Sequence, residues 1–238
     1  MNGGLLDILG PEASRWRAKM RRHRYGRNET VFREGDPGDT LHVIDKGRVL
    51  VETTTSIGNV AALSVRGPGE VIGELALVGN GRRTASVTAL EPTETLSLTQ
   101  GMVEDLRTTD SNFDRYLVEL LAEKLAETMA QLMEVLFVPV NSRVLRVVDR
   151  LATAFDDGQM PIVIRVRQED IAARAGTRRQ TANRPLKAAE AKGAVRIGRG
   201  SVEIVDRELL RELGRCPSGW PNSCNAVRST RHRRARTR

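Results

Sequence analysis

The feature that most constrains the fold is a stretch of 27 residues, 111–137, in which apolar residues recur with a helical period. Its main stripe follows alternating steps of three and four residues: Val118, Leu121, Leu125, Thr128, Leu132 and Val135. This spacing is typical of a coiled-coil seam. A second apolar stripe lies beside it: Leu117, Leu120, Met129, Met133 and Leu136.

A helix with two apolar stripes can pack against its own chain on one side and against a partner helix on the other. We therefore predict a long helix with Ser111 as its N-cap and a homodimer formed through residues 111–138. The alternative is a helix that is buried wholly within a monomer.

The region before the helix has a different character. From Glu29 to Thr99, short β-branched segments alternate with turn signals rich in Gly, Pro and Asp. This pattern predicts an antiparallel barrel or sandwich. The predicted strands are Thr30–Phe32, Thr40–Ile44, Arg48–Thr54, Val60–Val65, Ser86–Leu90 and Thr95–Leu98. Residues 1–26 are predicted to form a short helix, in which the basic run 21–24 is a solvated face rather than a nucleic-acid contact.

The region after the helix resembles a DNA-binding module. Pro139 ends the helix, and we predict a second helix over Asn141–Phe155 and a strand over Ile162–Val166. Residues 168–184 have the spacing of a helix-turn-helix: Ile171 and Ala172 bury the first helix, Gly176 makes the turn and Thr177 caps the second helix. Residues 195–205 alternate about a glycine turn, which predicts a wing hairpin.

Four polar side chains are predicted at the exposed start and face of the second helix: Arg178, Arg179, Gln180 and Arg184. Guanidinium groups suit guanine edges and glutamine suits adenine, although a solvated charged face would show the same residues. Pro185 follows directly. Because it lacks an N–H, it costs about 3 kcal/mol inside a regular helix, and we predict a kink or an early end there.

A segment near the end of the predicted strands has the chemistry of an anion site. Gly73 lets the backbone approach closely, and residues 74–77 can form one helical turn with free N–H groups. Arg83 can hold two phosphate oxygens and Thr84 can donate a further hydrogen bond. Glu74 would repel a phosphate unless the ligand also carried a hydroxyl, so a sugar phosphate fits. The alternative is an ordinary Glu74–Arg83 ion pair in a hairpin.

The string Gly73-Glu74-Leu75-Ala76-Leu77 followed by Arg83-Thr84-Ala85 resembles the phosphate-binding cassette of cyclic-nucleotide-binding domains. The resemblance implies that Glu74 holds the ribose 2′-hydroxyl, while Arg83 and Thr84 hold the cyclic phosphate beside Gly73, Leu75 and Ala76. It also implies cyclic AMP as the effector, with Thr128 on the adenine amino group. Met129 departs from the pattern, because the family places a hydroxyl there.

The order of the three parts resembles the cyclic-AMP receptor protein/FNR family over about residues 20–210. An α+β fold is implied: an N-terminal antiparallel β-roll sensor (1–110), a dimerisation helix (111–138) and a C-terminal winged helix-turn-helix domain (139–214). The pattern places Arg179, Gln180 and Arg184 at base-reading positions and Arg178 nearer a phosphate. The implied function is a transcription regulator that binds double-stranded DNA, with RNA polymerase as a further candidate partner.

Composition adds little to this assignment. The formal net charge is +8, but seven arginines and no acidic residue follow residue 214, so residues 1–214 carry only +1. We predict that 215–238 is a disordered basic tail. The absence of a signal peptide and of 18 consecutive apolar residues predicts a cytoplasmic protein with no membrane contact.

Other classes of protein fit less well. We find no nucleophile–base constellation and no P-loop, so a cyclic-nucleotide-gated enzyme is the distant alternative and no catalytic residue is expected. The two cysteines, Cys216 and Cys224, lie in the tail and make a poor zinc site, and the sensor contains only His23 and His42 as histidines. We therefore expect no metal or haem. The closer alternative is a ligand-independent regulator, or one that senses another nucleotide.

Overall fold

The computed structural model describes residues 4–54 and 60–217, and its contacts divide the chain into two units, Met1–Glu119 and Leu120–Arg238. The predicted disordered tail lies outside the described residues from position 218 onward. Among the described helices, none combines the length and apolar character that crossing a membrane requires.

The first unit contains two antiparallel sheets of four strands each, with the orders β1-β8-β3-β6 and β2-β7-β4-β5. The strands are β1 (Arg21–Tyr25), β2 (Thr30–Phe32), β3 (Thr40–Lys46), β4 (Val49–Thr54), β5 (Val60–Arg66), β6 (Val71–Ile72), β7 (Ser86–Ala89) and β8 (Thr93–Thr99). All six predicted strands are present within two residues of their predicted ends. The antiparallel sheets confirm the predicted fold class of the sensor.

The basic run is a strand, so its prediction as a helix face was wrong. β1 pairs with the edge of β8 in the register Arg21↔Ser97 to Tyr25↔Thr93. Residues 21–25 form a strand because the backbone of β8 supplies their hydrogen-bond partners. A local charge pattern does not reveal such a distant partner. The helices of this unit are α1 (Leu5–Ile8), α2 (Ala13–Lys19), α3 (Glu74–Val78) and α4 (Gln100–Thr109). α4 was not predicted.

The two faces of β3 and β8 differ in polarity. Leu41, Val43, Leu96 and Leu98 point to one face and are buried. On the opposite face Ile44 joins an apolar cluster with Val49, Ile72 and Val87. The same face also carries three buried polar residues, His42, Thr95 and Ser97. His42 lies opposite Ser97 and Ile72, and Thr95 lies opposite Ile44, so polar and apolar side chains adjoin in the interior of the roll.

The helix α5 (Ser111–Phe137) confirms the predicted long helix. Its start is fixed by Asp110 rather than by Ser111, because the Asp110 Oδ1 accepts a hydrogen bond of 2.9 Å from the Asn112 N–H. Ser111 is the first residue of the helix. The choice between two adjacent capping residues depends on the turn that precedes them.

The rest of the second unit is a winged helix-turn-helix, as predicted. Its elements are α6 (Val140–Phe155), β9 (Ile162–Ile164), α7 (Gln168–Arg174), α8 (Arg179–Ala191), β10 (Val195–Gly198), β11 (Ser201–Ile204) and α9 (Arg207–Leu213). The sheet has the order β10-β11-β9. The N-cap of α8 is Arg178 and no side chain caps it, so the prediction of Thr177 as the cap was wrong by one residue.

Pro185 lies inside α8, and the helix continues to Ala191. The early end was therefore wrong, and the alternative of a kink at Pro185 stays a prediction. Ala182, Pro185, Leu186 and Ala189 are all buried, so the proline occupies an inward position of the helix. Burying these side chains stabilises the helix and offsets the hydrogen bond that Pro185 cannot donate.

The buried histidine His42 makes the stability of the sensor sensitive to pH. Burial lowers the pKa of His42 from 6.5 to about 4, and the nearby charge of Arg83 adds to the effect. The unfolded chain therefore binds more protons than the folded chain between about pH 4 and 6.5. We expect the free energy of unfolding to fall by up to about 3 kcal/mol as the pH drops through that range.

Chemical denaturation at several pH values, for the wild type and for His42→Gln, measures this effect. The variant cannot take up the proton, so its loss of stability on acidification should be smaller by that amount. Parallel curves for the two proteins would contradict the assignment of the pH dependence to His42.

Candidate functional site

Residues 73–85, which we call the cassette, begin at a glycine whose conformation suits few other residues. Gly73 has φ 83° and precedes α3. A Cβ atom at Gly73 would lie 2.3 Å from Nη1 of Arg83. The left-handed backbone and the lack of space both exclude a side chain. The short helix predicted over residues 74–77 is present as α3.

Arg83 is buried and is held by backbone oxygens. Only 5% of the residue is exposed. Its Nη1 donates to the carbonyls of Thr40 (2.6 Å) and Gly73 (3.0 Å), and its Nη2 donates to Oγ1 of Thr40 (2.8 Å). The ring of Phe32 lies 4.2 Å from the guanidinium carbon, a cation–π distance. These contacts fix the guanidinium in one orientation.

One nitrogen of this guanidinium has no protein partner. Nε of Arg83 is buried and makes no hydrogen bond. A Cβ atom at Gly38 would lie 2.9 Å from this nitrogen and 2.5 Å from Cβ of Ala76. The second glycine therefore lets the β2–β3 loop close against the cassette. A buried donor without an acceptor is costly, so an anionic ligand on this nitrogen would be stabilising.

The carboxylates around Arg83 keep it charged. Burial lowers the pKa of Arg83, and Asp39, Glu74 and Asp36 oppose that shift. Glu74 itself is 3% exposed. The cassette thus places the buried carboxylate of Glu74 near the buried guanidinium of Arg83. This arrangement suits a ligand that offers a hydroxyl to the carboxylate and a phosphate to the guanidinium.

The remaining cassette residues differ in exposure. Ala76 is buried, whereas Leu75 and Thr84 are exposed. Thr128 lies on α5 in the second unit, and its Oγ1 donates a hydrogen bond of 2.8 Å to the carbonyl of Lys124. The structure therefore brings Gly73, Glu74, Ala76 and Arg83 together in one unit. Thr128 belongs to the other unit.

A cleft of about 600 Å³ reaches Arg83 beside the buried polar residues His42 and Ser97. Phe32, Thr40 and His42 line it together with Arg83, while its lining does not include Glu74 or Thr84. Phe32, Thr40 and Gly38 are contributions to the site that the sequence analysis missed. The signal for Gly38 was present in the Gly-Asp-Pro-Gly-Asp turn at 35–39, which was interpreted only as a break between strands.

The predicted DNA-binding residues are all exposed on α8 or at its N-cap: Arg178, Arg179, Gln180 and Arg184. Ala182 and Leu186 point inward from the same helix. The Nη1 of Arg179 lies 3.0 Å from Oε1 of Glu169 on α7. This ion pair is exposed, so it is weak and can exchange for a base edge. The helix therefore presents a basic, solvent-facing surface.

A metal site is absent from the described part of the chain, where no group of three or more His, Cys, Asp or Glu side chains could hold an ion.

Comparisons with known proteins find a family match in each half of the chain. The cyclic nucleotide-binding domain family matches residues 22–110 and the Crp-like helix-turn-helix domain family matches residues 142–213. The cyclic AMP receptor protein of Thermus thermophilus is 33% identical over 82% of this chain and 88% of its own length. The CRP-like cAMP-activated global transcriptional regulator of Mycobacterium tuberculosis is 30% identical over 80% of this chain and 87% of its own length.

Among solved structures, the c-di-GMP responsive global regulator CLP of Xanthomonas campestris superposes with a TM-score of 0.68. It is 25% identical and the match covers 81% of this chain and 97% of that one. The Mycobacterium protein is named as a transcriptional regulator and the Xanthomonas protein as a global regulator. The chain is therefore a DNA-binding transcription regulator that belongs to the cyclic-AMP receptor protein/FNR family.

Proposed function

We propose that this regulator binds a cyclic nucleotide, cyclic AMP, in the cassette and acts on DNA as a homodimer. The observation that carries the proposal is the buried Nε of Arg83, which has no partner in a guanidinium otherwise fixed by Thr40 and Gly73. The cyclic phosphate would accept its hydrogen bond. Thr84 would donate a second one, and Gly73, Leu75 and Ala76 would form the backbone around the phosphate.

Glu74 would accept the ribose 2′-hydroxyl. A buried carboxylate beside a phosphate is repulsive unless the ligand offers a donor, and the 2′-hydroxyl of a 3′,5′-cyclic nucleotide is such a donor. This pairing favours a cyclic mononucleotide over inorganic phosphate.

The hydroxyl of Thr128 favours adenine. Because this hydroxyl donates its hydrogen to the Lys124 carbonyl, it faces a ligand as an acceptor. Adenine carries an amino donor at position 6, whereas guanine carries an oxygen acceptor there. Met129, the next residue, offers neither a strong donor nor a strong acceptor. Two relatives are named for cyclic AMP and one for c-di-GMP, so both nucleotides belong in the test.

The homodimer is supported by the apolar surface of α5. Val118, Leu125, Met129, Leu132 and Leu136 are each more than half exposed. A row of apolar side chains this long is costly in water, and its coiled-coil spacing matches a second copy of the same helix. We infer a symmetric pairing of two α5 helices. We propose that the resulting dimer acts in the cytoplasm.

The same dimer would set the spacing of the DNA contacts. Two helices that enter successive major grooves must lie about 34 Å apart. A cyclic nucleotide that binds one arrangement of the dimer more tightly than another would shift the population towards it. Arg179, Gln180 and Arg184 would then contact bases, and Arg178 would contact a phosphate.

The cassette is tested by Arg83→Leu, with Arg82→Leu as the matched control, because Arg82 is exposed and adjacent. Titration calorimetry with cyclic AMP should show a loss of at least about 100-fold in affinity for Arg83→Leu, corresponding to about 3 kcal/mol. The control should stay near wild type. Cyclic GMP and c-di-GMP should bind the wild type more weakly.

Thermal unfolding of both variants accompanies this titration, since Arg83 also holds Thr40 and Gly73. A folded Arg83→Leu protein with unchanged affinity would reject the cassette. Tighter binding of c-di-GMP than of cyclic AMP by the wild type would reject the adenine argument alone.

The dimer is tested by Leu125→Glu, with Leu125→Met as the control that keeps the apolar volume. A carboxylate in the seam would lose its hydration on pairing, so sedimentation at micromolar concentration should show mainly monomer for the glutamate variant. The methionine variant should remain dimeric. A dimeric glutamate variant would place the interface elsewhere.

The base contact is tested by Arg179→Ala beside Arg178→Ala, on DNA that the wild type selects from a random pool. Loss of a guanine contact costs about 1–3 kcal/mol at one base pair, so Arg179→Ala should lose discrimination between selected and random DNA. Arg178→Ala should weaken binding to both by a similar factor. Equal losses for Arg179→Ala on both DNAs would make it a phosphate contact.

A further inference from the structure

We propose that Arg143 is a positioning residue that fixes the orientation of the DNA-binding head, meaning α7, the 175–178 turn and α8, relative to the end of α5. The regulatory consequence rests on the proposed function. The geometric part does not, because all the contacts lie within the second unit.

The guanidinium of Arg143 joins two separate elements from its place on α6. Its Nη1 donates to the carbonyls of Val135 and Val138, both at 3.0 Å, at the end of α5. Its Nε donates to the carbonyl of Ala175 at 2.5 Å, and Nη2 lies 3.5 Å from the carbonyl of Gly176. One side chain therefore contacts α5 and the helix-turn-helix turn together.

The reason for the first contact is Pro139. In a continuing helix the Val135 carbonyl would accept from the N–H four residues later, which is position 139. Proline has no N–H, so this acceptor is left without a helical partner and Arg143 supplies the donor. The preceding carbonyl, that of Glu134, is satisfied by the Val138 N–H at 2.9 Å.

The contact of Arg143 with the turn after α7 has a similar cause, because it also lies at a helix end. Ala175 follows the last residue of α7, and Gly176 has φ 59° in the turn. The final carbonyls of a helix have no helical donors, and a cation is favourable near such an end. Arg143 is thus placed where two helices both end with free acceptors.

Packing brings the same two elements together. A Cβ atom at Gly176 would lie 3.3 Å from Cγ2 of Val135, so the side chain of Val135 rests against the turn. An ion pair at the same junction joins other elements. The buried carboxylate of Glu134 pairs with Nη1 of Arg150 at 2.7 Å, which joins α5 to α6 alone.

The head therefore takes its angle from α5 through Arg143 and the Val135–Gly176 contact. In a dimer, that angle sets the separation of the two α8 helices. If the effector changes the end of α5, Arg143 transmits the change to the turn that begins α8. Without the guanidinium, the head is expected to sample a wider range of angles.

The test compares Arg143→Gln with Arg146→Gln. Arg146 lies one turn along α6, is similarly half-buried, and donates to the Gly214 carbonyl at 3.0 Å instead of to the turn. Affinity for selected DNA is measured with and without saturating cyclic AMP. The ratio of the two affinities should fall at least fivefold towards one in Arg143→Gln and stay within twofold of wild type in Arg146→Gln.

A loss of affinity in Arg143→Gln that is equal with and without nucleotide would overturn the positioning role, since a merely structural residue gives that result. If the wild type itself shows no response to cyclic AMP, the proposed effector fails and the ratio is uninformative. A second measurement then decides the geometric claim without any ligand.

That measurement is the distance between spin labels on unnatural amino acids at Ala122 on α5 and Lys187 on α8, both exposed. Labelled protein is diluted into unlabelled protein so that each dimer carries one labelled protomer. The wild type and Arg146→Gln should give one narrow distribution. Arg143→Gln should give a broadened or shifted one, and a distribution identical to wild type would overturn the inference.

Discussion

The sensor depends on burying one cation, Arg83, beside a short helix. A charge is buried at tolerable cost only when it is hydrogen-bonded and faces opposite charge. Thr40 and the Gly73 carbonyl supply the hydrogen bonds, and Asp39 and Glu74 supply the opposite charge. Gly38 and Gly73 are required because a side chain at either position would collide with the guanidinium or its neighbours. The strands and turns of the roll therefore bring several distant parts of the sequence to one side chain.

Arg83 in the first unit and Arg143 in the second have similar surroundings. Both are partly desolvated, both have a pKa lowered by burial, and both donate mainly to main-chain carbonyls. They differ in whether every buried guanidinium nitrogen has a hydrogen-bond acceptor. Nε of Arg83 is buried and makes no hydrogen bond. The nitrogens of Arg143 donate to carbonyls at the ends of two helices. A guanidinium suits both positions because its rigid fork contacts several acceptors at once.

The fold was largely predictable because its main elements are marked locally. β-branched runs between Gly and Pro turns located the six strands, and the seam from Val118 to Val135 located α5. The failures have a common cause. Residues 21–25 form β1 because the edge of β8 is available, and α8 passes through Pro185 because buried neighbours stabilise it. In each case the packing comes from an element that is distant in sequence: β8 for β1, and α6 for the buried face of α8. In the same way the cassette motif identified Arg83, while Phe32, Thr40 and Gly38 could not be assigned to it without the turn geometry.

Pro139 ends α5 and at the same time leaves a backbone acceptor for Arg143. A helix of 27 residues could have continued into α6 and made a single rigid rod, leaving the DNA-binding head no angle to adjust. Proline prevents this by removing one N–H, and the carbonyl it leaves at Val135 is available to a side chain from the next helix. The break between α5 and α6 thereby creates an acceptor through which a side chain of α6 contacts the end of α5. A side-chain hydrogen bond of this kind can be exchanged at a cost of about 1–3 kcal/mol, which lies in the range of typical allosteric coupling energies. A continuous helix would be too stiff to serve as this joint, and an unrestrained linker would transmit nothing.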